Sequence, residues 1–282
     1  MKRILAPVNL RSDYENVLGY AASVAQRANA VLTVFYAGGS RILKNKNNRT
    51  FSSENSVETM LDEIRSAVVE SAAKKIWEML AGKGISFEFK FAESTSIYEI
   101  VRETQASPYE LVIMGTHASP GLRGYFRTAM ASRFISDVHT PVFIVPATRS
   151  FNEIQHITYA VDLADYDPRI VGQIKRIAAM FDAKLTIVHV NNAEPVSGKE
   201  QYVHSLEKMI SDTLDYPKIY YRFFDHADPL NGIKKFVAQN NINLLAMINR
   251  KKFSWRNIFS NPGFTHQMTR EGSVPILAFH KS

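Results

Sequence analysis

The sequence predicts an α/β fold built twice along 282 residues, each copy a mostly parallel five-stranded sheet flanked by helices. Three observations carry this. Short apolar runs alternate with stretches of helical period from one end of the chain to the other. Residues 111–146, LVIMGTHASPGLRGYFRTAMASRFISDVHTPVFIVP, read as strand, glycine-bearing loop, helix and strand in immediate succession. Finally, Ala30-Val31-Leu32-Thr33-Val34 returns as Ala183-Lys184-Leu185-Thr186-Ile187, 153 residues further on.

Taken in order, residues 3–9 (RILAPVN) make a first strand. Residues 14–28 place Val17, Leu18, Ala21, Ala22, Val24 and Ala25 on one broad helical face, and VLTVFYA at 31–37 closes a βαβ unit. Residues 38–56, GGSRILKNKNNRTFSSENS, break the regularity with Gly, Asn, Ser and four basic side chains, so a mobile solvated insertion, dispensable for folding, is expected there, or a docking arm for an acidic partner. One long helix is expected over 57–82, its core stripe being Ile64, Val68, Ala72, Ile76, Met79 and Leu80, with Trp77 packing as well. FEFKFA at 87–92 is a strand and 96–104 a short helix. LVIM at 111–114 is apolar throughout, as a strand buried on both faces is, and Gly115 ends it where backbone freedom is expected. From Thr128, a candidate N-cap, Met130, Phe134, Ile135 and Val138 recur at helical steps until His139-Thr140-Pro141, after which VFIV supplies another strand.

The second half repeats the plan. The 153-residue offset places Asn9 on Asp162, while downstream Pro141 aligns with Pro275 and Gly115 with Asn249, both 134 residues apart. The 19-residue difference is assigned to the basic insertion, where the second half has only NNAEPVSGKE. This pattern implies two diverged copies of one domain, 1–148 and 152–282, with a junction near 148–152.

Composition bounds the function. Apolar and charged fractions of 45% and 22% are those of an ordinary soluble globular protein. No apolar run approaches a membrane span, and MKRILAPVNL lacks the apolar segment of a signal peptide, so no membrane association and a cytoplasmic location are expected. Zero cysteines removes disulfides, thiolate metal sites and cysteine nucleophiles together. The net charge of +7 divides almost evenly, +4 on residues 1–149 and +3 on the rest, so neither half is a basic domain and nucleic-acid binding is disfavoured.

The 111–146 stretch resembles the universal stress protein family, whose signature is G-x2-G-x9-G-[ST] after an apolar strand, followed by an amphipathic helix and a P-V-x-x-V strand. Gly115 fits the first glycine; the second falls on Ala118 and the closing pair on Thr128-Ala129, with Gly121 and Gly124 off the pattern. The resemblance implies Rossmann-like domains of the adenine-nucleotide alpha-hydrolase type, covering essentially the whole chain and related by an internal pseudo-twofold. It implies that the loop and helix start hold the phosphates of ATP or a related adenine nucleotide. It also implies that an Asp after a first-strand Pro-Val holds the adenosine end. Here Pro7-Val8 leads to Asn9, which forgoes the charge-assisted bond of a carboxylate. The second copy keeps the acid in Ala160-Val161-Asp162, but its loop is Asn249-Arg-Lys-Lys-Phe-Ser-Trp and Pro262 stands in the place of Thr128 without an N–H to offer. Family members pair through their final strands, so VFIV and ILAF are expected to form an internal pseudo-dimer.

The remaining candidates for chemistry are few. His117 is placed in the loop to donate to phosphate or ribose, or to be an ordinary surface histidine; Arg123 and Arg127 add positive charge. His189 continues an apolar strand and reads as a half-buried strand residue. Asp225-His226-Ala227-Asp228 is the nearest approach to metal-ligand spacing, yet lies where caps and turns are common, and no metal is expected. No G-x-S-x-G, H-E-x-x-H, complete Walker or kinase motif is present, so no catalytic residue is assigned. The reading is a tandem stress-response binding module rather than an enzyme, with a degenerate nucleotide site in Pro7, Asn9, Gly115, His117, Ala118, Gly121, Arg127, Thr128 and Ala129, and Asp162 in the second copy. The alternatives are an adaptor that binds no nucleotide and works on an unidentified protein partner, and a weak ATPase.

Overall fold

The structure is a computed structural model of the whole chain. It describes residues 2–8, 14–37, 49–54, 56–64, 66–92, 97–115, 134, 137–146, 151–161, 166–191, 207–208, 210–211, 215–249 and 274–280. The chain divides into two compact units, Met1–Phe151 and Asn152–Lys281.

The first unit runs β1 (Arg3–Pro7), α1 (Tyr14–Ala28), β2 (Val31–Ala37), β3 (Arg49–Ser52), α2 (Val57–Asp62), α3 (Ala67–Ala81), β4 (Phe87–Ala92), α4 (Ile97–Ala106), β5 (Leu111–Gly115) and β6 (Val142–Val145). Its strands stand in the order β3-β4-β2-β1-β5-β6. All pair in parallel except β3, which lies antiparallel on β4. The central strands are apolar because helices cover both faces. On β4 the alternation shows this directly: Phe87 and Phe89 meet Trp77 of α3, while Lys90 ion-pairs with Glu103 of α4 at 2.6 Å. The six predicted core residues of α1 are all buried, and Tyr20 joins them.

The second unit runs β7 (His156–Ala160), α5 (Pro168–Met180), β8 (Lys184–Asn191), β9 (Ile219–Asp225), α6 (Pro229–Gln239), β10 (Leu244–Asn249) and β11 (Ile276–His280), with strand order β11-β10-β7-β8-β9, all pairs parallel. Leaving β3 aside, this is the order of the first unit, and the likeness extends to single bonds. Val8 N–H donates to Phe35 C=O at 2.9 Å, and 153 residues on Val161 N–H donates to Val188 C=O at 2.9 Å. The helices before β2 and β8 end alike. Asn29 (φ 48°) and Asp182 (φ 52°) take the left-handed conformation that short polar side chains tolerate, and Ala30 and Ala183 reach back to the carbonyls of Ala25 and Ala178.

Three expectations are corrected. The helix over 57–82 is two helices, broken after Asp62 and restarted at Ala67 behind the N-cap Ser66. The break shifts the helical phase, so Val68 is 61% exposed and Val69 and Ala73 take buried places instead. The segment 38–56 is not wholly a solvated insertion, because residues 49–52 form β3 and bury Phe51 against Phe91. Finally, strand register sets Gly115 on Ile248, not Asn249. Leu5 pairs with Val112 and Thr158 with Leu245, which makes the offset 133 here, against 132 between the paired Phe87 and Ile219 one strand earlier.

The two units solve the same polar position differently. Arg3 ion-pairs with Glu88, whose Oε1 also accepts from Thr33 Oγ1 at 2.8 Å. At the equivalent place His156 Nε2 lies 2.8 Å from Thr186 Oγ1. Burial, and secondarily the charge of Lys184, hold the His156 pKa below its usual 6.5, against the opposing pull of the Asn240 backbone. The unfolded chain therefore takes up this proton first on acidification. The stability contributed by neutral His156 is complete above about pH 6.5 and is lost as pH falls through the lower folded-state value. Urea midpoints measured between pH 7.5 and 5 are expected to fall less steeply in His156→Gln than in the natural sequence. Parallel slopes would show that His156 does not carry the effect.

Candidate functional site

In the first unit, the carboxyl ends of β1 and β5 lie side by side. Ile4 pairs with Leu111 and Leu5 with Val112, so counting on in that register brings Pro7 level with Met114 and Val8 level with Gly115. The strand order makes this a point of divergence. From β1 the chain crosses to β2 on one side, whereas β5 and β6 stand on the other. In open α/β sheets the crevice outside such a pair of strand ends is where ligands bind.

Gly115 has a physical reason different from the expected one. It is still paired with Val145, and among the described residues the one glycine with a left-handed backbone is Gly84, at φ 64°. A Cβ added at Gly115 would stand 3.0 Å from Val17 Cγ2 of α1. The missing side chain thus lets α1 close on the end of β5 rather than letting the chain turn. At the equivalent place the second unit carries Ile248, 7% exposed. In the first unit the corresponding space beside the glycine is taken by Val17 of α1.

Of the remaining predicted residues, Asn9, His117, Ala118, Gly121, Arg127, Thr128, Ala129 and Asp162 lie outside the described residues. So do Arg123 and the 250–273 segment with Pro262. The helix expected after the loop is described at its end, where Val138 N–H donates to Phe134 C=O at 3.0 Å and both side chains are buried, as the apolar stripe requires.

The polar groups at the carboxyl ends of β7, β8 and β9 are bonded to one another. Buried His189 donates from Nδ1 to the Val161 carbonyl at 2.9 Å, and its Nε2 lies 2.8 Å from Asn191 Oδ1. Asn191 Nδ2 in turn donates to Asp225 Oδ1 at 3.3 Å. His189 is accordingly a strand residue, as its position in an apolar run suggested, but buried rather than half-buried. His226 Nδ1 accepts from Asp228 N–H at 3.1 Å. Asp228 accepts from the Asn231 backbone and side chain, filling the start of α6 with its own carboxylate. Among the described residues no group of three or more His, Asp or Glu could hold a metal ion.

Sequence reasoning missed two features of these strand ends and helix starts. One is Val17, visible only as a core residue of α1 until the fold brings it onto Gly115. The other is Asp167, the N-cap of α5, whose oxygens accept from Arg169 N–H at 2.9 Å and from its guanidinium at 2.9 and 3.2 Å. Those bonds to Arg169 hold the Asp167 carboxyl below the usual carboxylate range. The Asp-Pro pair at the helix start was the available signal.

Comparison with known proteins agrees with this architecture. The model of the universal stress protein family matches residues 1–146. A universal stress protein of Methanocaldococcus jannaschii is 27% identical over 86 residues, which is 30% of this chain, and the match spans about half (51%) of that relative's length. Among solved structures, a universal stress protein from Archaeoglobus fulgidus superposes over 99% of this chain and 98% of its own at a TM-score of 0.67 with 16% identity. A functionally unknown protein from Pseudomonas aeruginosa PAO1 has the same fold over 99% and 92% of the two chains, at a TM-score of 0.59 and 13% identity. So does the cytoplasmic domain of a prokaryotic cation chloride cotransporter, over 98% and 94%, at 0.62 and 8% identity. At these identities the superpositions speak for the fold alone; with a family model matching residues 1–146 of 282, the chain belongs to the universal stress protein family.

Proposed function

We propose that this chain is a tandem universal stress protein. In this reading it is a cytoplasmic stress-response binding module in two copies, 1–148 and 152–282, that takes ATP or a related adenine nucleotide in its first half. The observation that carries the reading is the side-by-side placement of the carboxyl ends of β1 and β5, with Gly115 level with Val8, at the divergence point of the first sheet, where the second carries Ile248 in place of the glycine. Recurrence of strand order, and of helix ends and single backbone bonds 153 residues apart, supports duplication. In this assignment Pro7, Val8 and Asn9 flank the adenosine end. The backbone from Gly115 through Thr128 and Ala129, with Arg127 and His117, flanks the phosphates.

A second reading has an observation of its own. Asn9, Ala118 and Ala129 stand where the family pattern has Asp, Gly and Ser or Thr, which favours an adaptor that binds no nucleotide. Mass spectrometry of small molecules released on denaturing freshly purified protein, followed by calorimetric titration with ATP, separates the two. Released adenine nucleotide, or saturable heat with ATP, supports the first reading. No ligand and no heat at millimolar ATP leaves the adaptor. Metal-dependent phosphate release would replace both with an ATPase.

A further inference from the structure

The strand β9 closes one end of the second sheet, and its outer side is paired with no strand among the described residues. Its counterpart β4 is covered there by β3, and the difference shows in the side chains. No described side chain of β9 is buried, whereas Phe87, Phe89, Phe91 and Ala92 of β4 are. Backbone direction is fixed by the bonds at the two ends of the β8–β9 ladder. Leu185 N–H donates to Lys218 C=O and His226 N–H to Asn191 C=O, at 2.9 and 3.0 Å. In a parallel pair alternate residues serve the same neighbour, so Tyr220, Arg222 and Phe224 turn their backbone groups to β8 and Ile219, Tyr221 and Phe223 turn theirs outward. The exposed Arg222 side chain supports this, donating from Nη1 to the Tyr221 carbonyl at 2.9 Å.

We propose that β9 is a self-pairing edge, docking antiparallel onto β9 of a second copy of this chain about a twofold axis at Tyr221. The first unit supplies the template. There β3 runs antiparallel on the same edge with Phe51 opposite Phe89, the counterpart of Tyr221, and Ser53 N–H reaches the outward Phe87 carbonyl at 2.7 Å. Set against itself about Tyr221, the sequence Ile219-Tyr-Tyr-Arg-Phe223 is complementary. Tyr221 meets the partner's Tyr221 and Ile219 meets the partner's Phe223, in pairs whose outward N–H and C=O groups exchange both bonds. On the opposite face Tyr220, 44% exposed and carrying Lys184 Nζ over its ring at 4.5 Å, turns the remaining side of the ring to the partner's Arg222, a cation against a ring, twice by symmetry. The register one residue along sets Arg222 directly on the partner's Arg222, and like charges at that distance repel. The Arg222 bond to the Tyr221 carbonyl is exposed to water and is replaced by the partner's N–H as the guanidinium moves onto the ring.

The chain has no cysteine, so a single introduced thiol reports this geometry cleanly. Full-length Tyr221→Cys is expected to sediment as a dimer and to form an intermolecular disulfide under mild oxidation. Tyr220→Cys, whose mate is a different residue, is expected to form none. Arg222→Glu in the natural sequence needs no cysteine and is expected to raise the dimer dissociation constant by about tenfold or more, two cation–ring contacts being lost. A monomer at the concentrations used, whether or not the chain's own residues cover β9, overturns the proposal. So does a dimer that neither cross-links at position 221 nor responds to Arg222→Glu.

Discussion

Phe51→Ala is expected to lower the stability of the first unit by about 3 kcal/mol, the low end of the range for removing a buried Phe. Phe51 is 5% exposed although it sits on a sheet edge in a segment rich in Asn, Lys and Ser. It lies opposite Phe89 in the antiparallel β3–β4 pair, and its ring meets Phe91 edge-on at 6.1 Å. Phe89 and Phe91 stack at 6.1 Å, and Phe89 also stacks on Trp77, so Phe51 is the outermost member of an aromatic row that continues to α3. Removing it opens a cavity at the row's end and weakens the strand that pairs the outward groups of β4. Replacing residues 38–48 with a short Gly-Ser linker that still crosses β4 from β2 to β3 instead shortens a connection, and closure entropy changes only slowly with length, so less than about 1 kcal/mol is expected. Urea unfolding of both variants, with midpoint and slope fitted separately, makes the comparison. A Phe51→Ala loss below about 1 kcal/mol would show that β3 is ornamental to the fold.

The fold was legible wherever one periodicity ran without interruption. The α1 face and the strands at Leu111 and Val142 are examples, since burial on one stripe or on both faces leaves a repeating apolar mark. Two features escaped for opposite reasons. The 57–82 stretch kept apolar residues at helical spacing across a break, so Ile64 and Ala72 fit a single stripe although α2 ends at Asp62 and α3 restarts at Ala67 in a different phase. The strand β3 left almost no pattern, because an edge strand needs only alternate buried residues and four positions leave room for one Phe. The site was half legible. A glycine after an apolar strand marks a strand end correctly, but its reason, the approach of Val17, needs the fold. The counterpart Ile248 needs strand register: the single-residue steps in offset from 132 to 133 to 134 (Phe87 to Ile219, Val112 to Leu245, Val142 to Ile276) leave no trace in motif letters.

Restoring the acid at position 9 is expected to tighten adenine nucleotide binding by roughly ten- to a hundredfold, the equivalent of one charge-assisted hydrogen bond of about 1.5–3 kcal/mol. Val8 is held to β2 by its bond to Phe35, level with Gly115 at the end of β5, and position 9 follows it directly in the sequence. An Asn there donates and accepts neutral bonds, and a carboxylate would accept with full charge. The second half has the opposite pairing: it carries Asp162 in the sequence and Ile248 at the strand end. If the first half holds the nucleotide, calorimetric titration of the full chain with ATP shows a stronger site in Asn9→Asp and an unchanged one in Asp162→Asn. Weaker binding in Asp162→Asn would move the site to the second half in spite of Ile248. A binding protein that gains nothing from Asn9→Asp would mean that the nucleotide approaches by some route other than the end of β1.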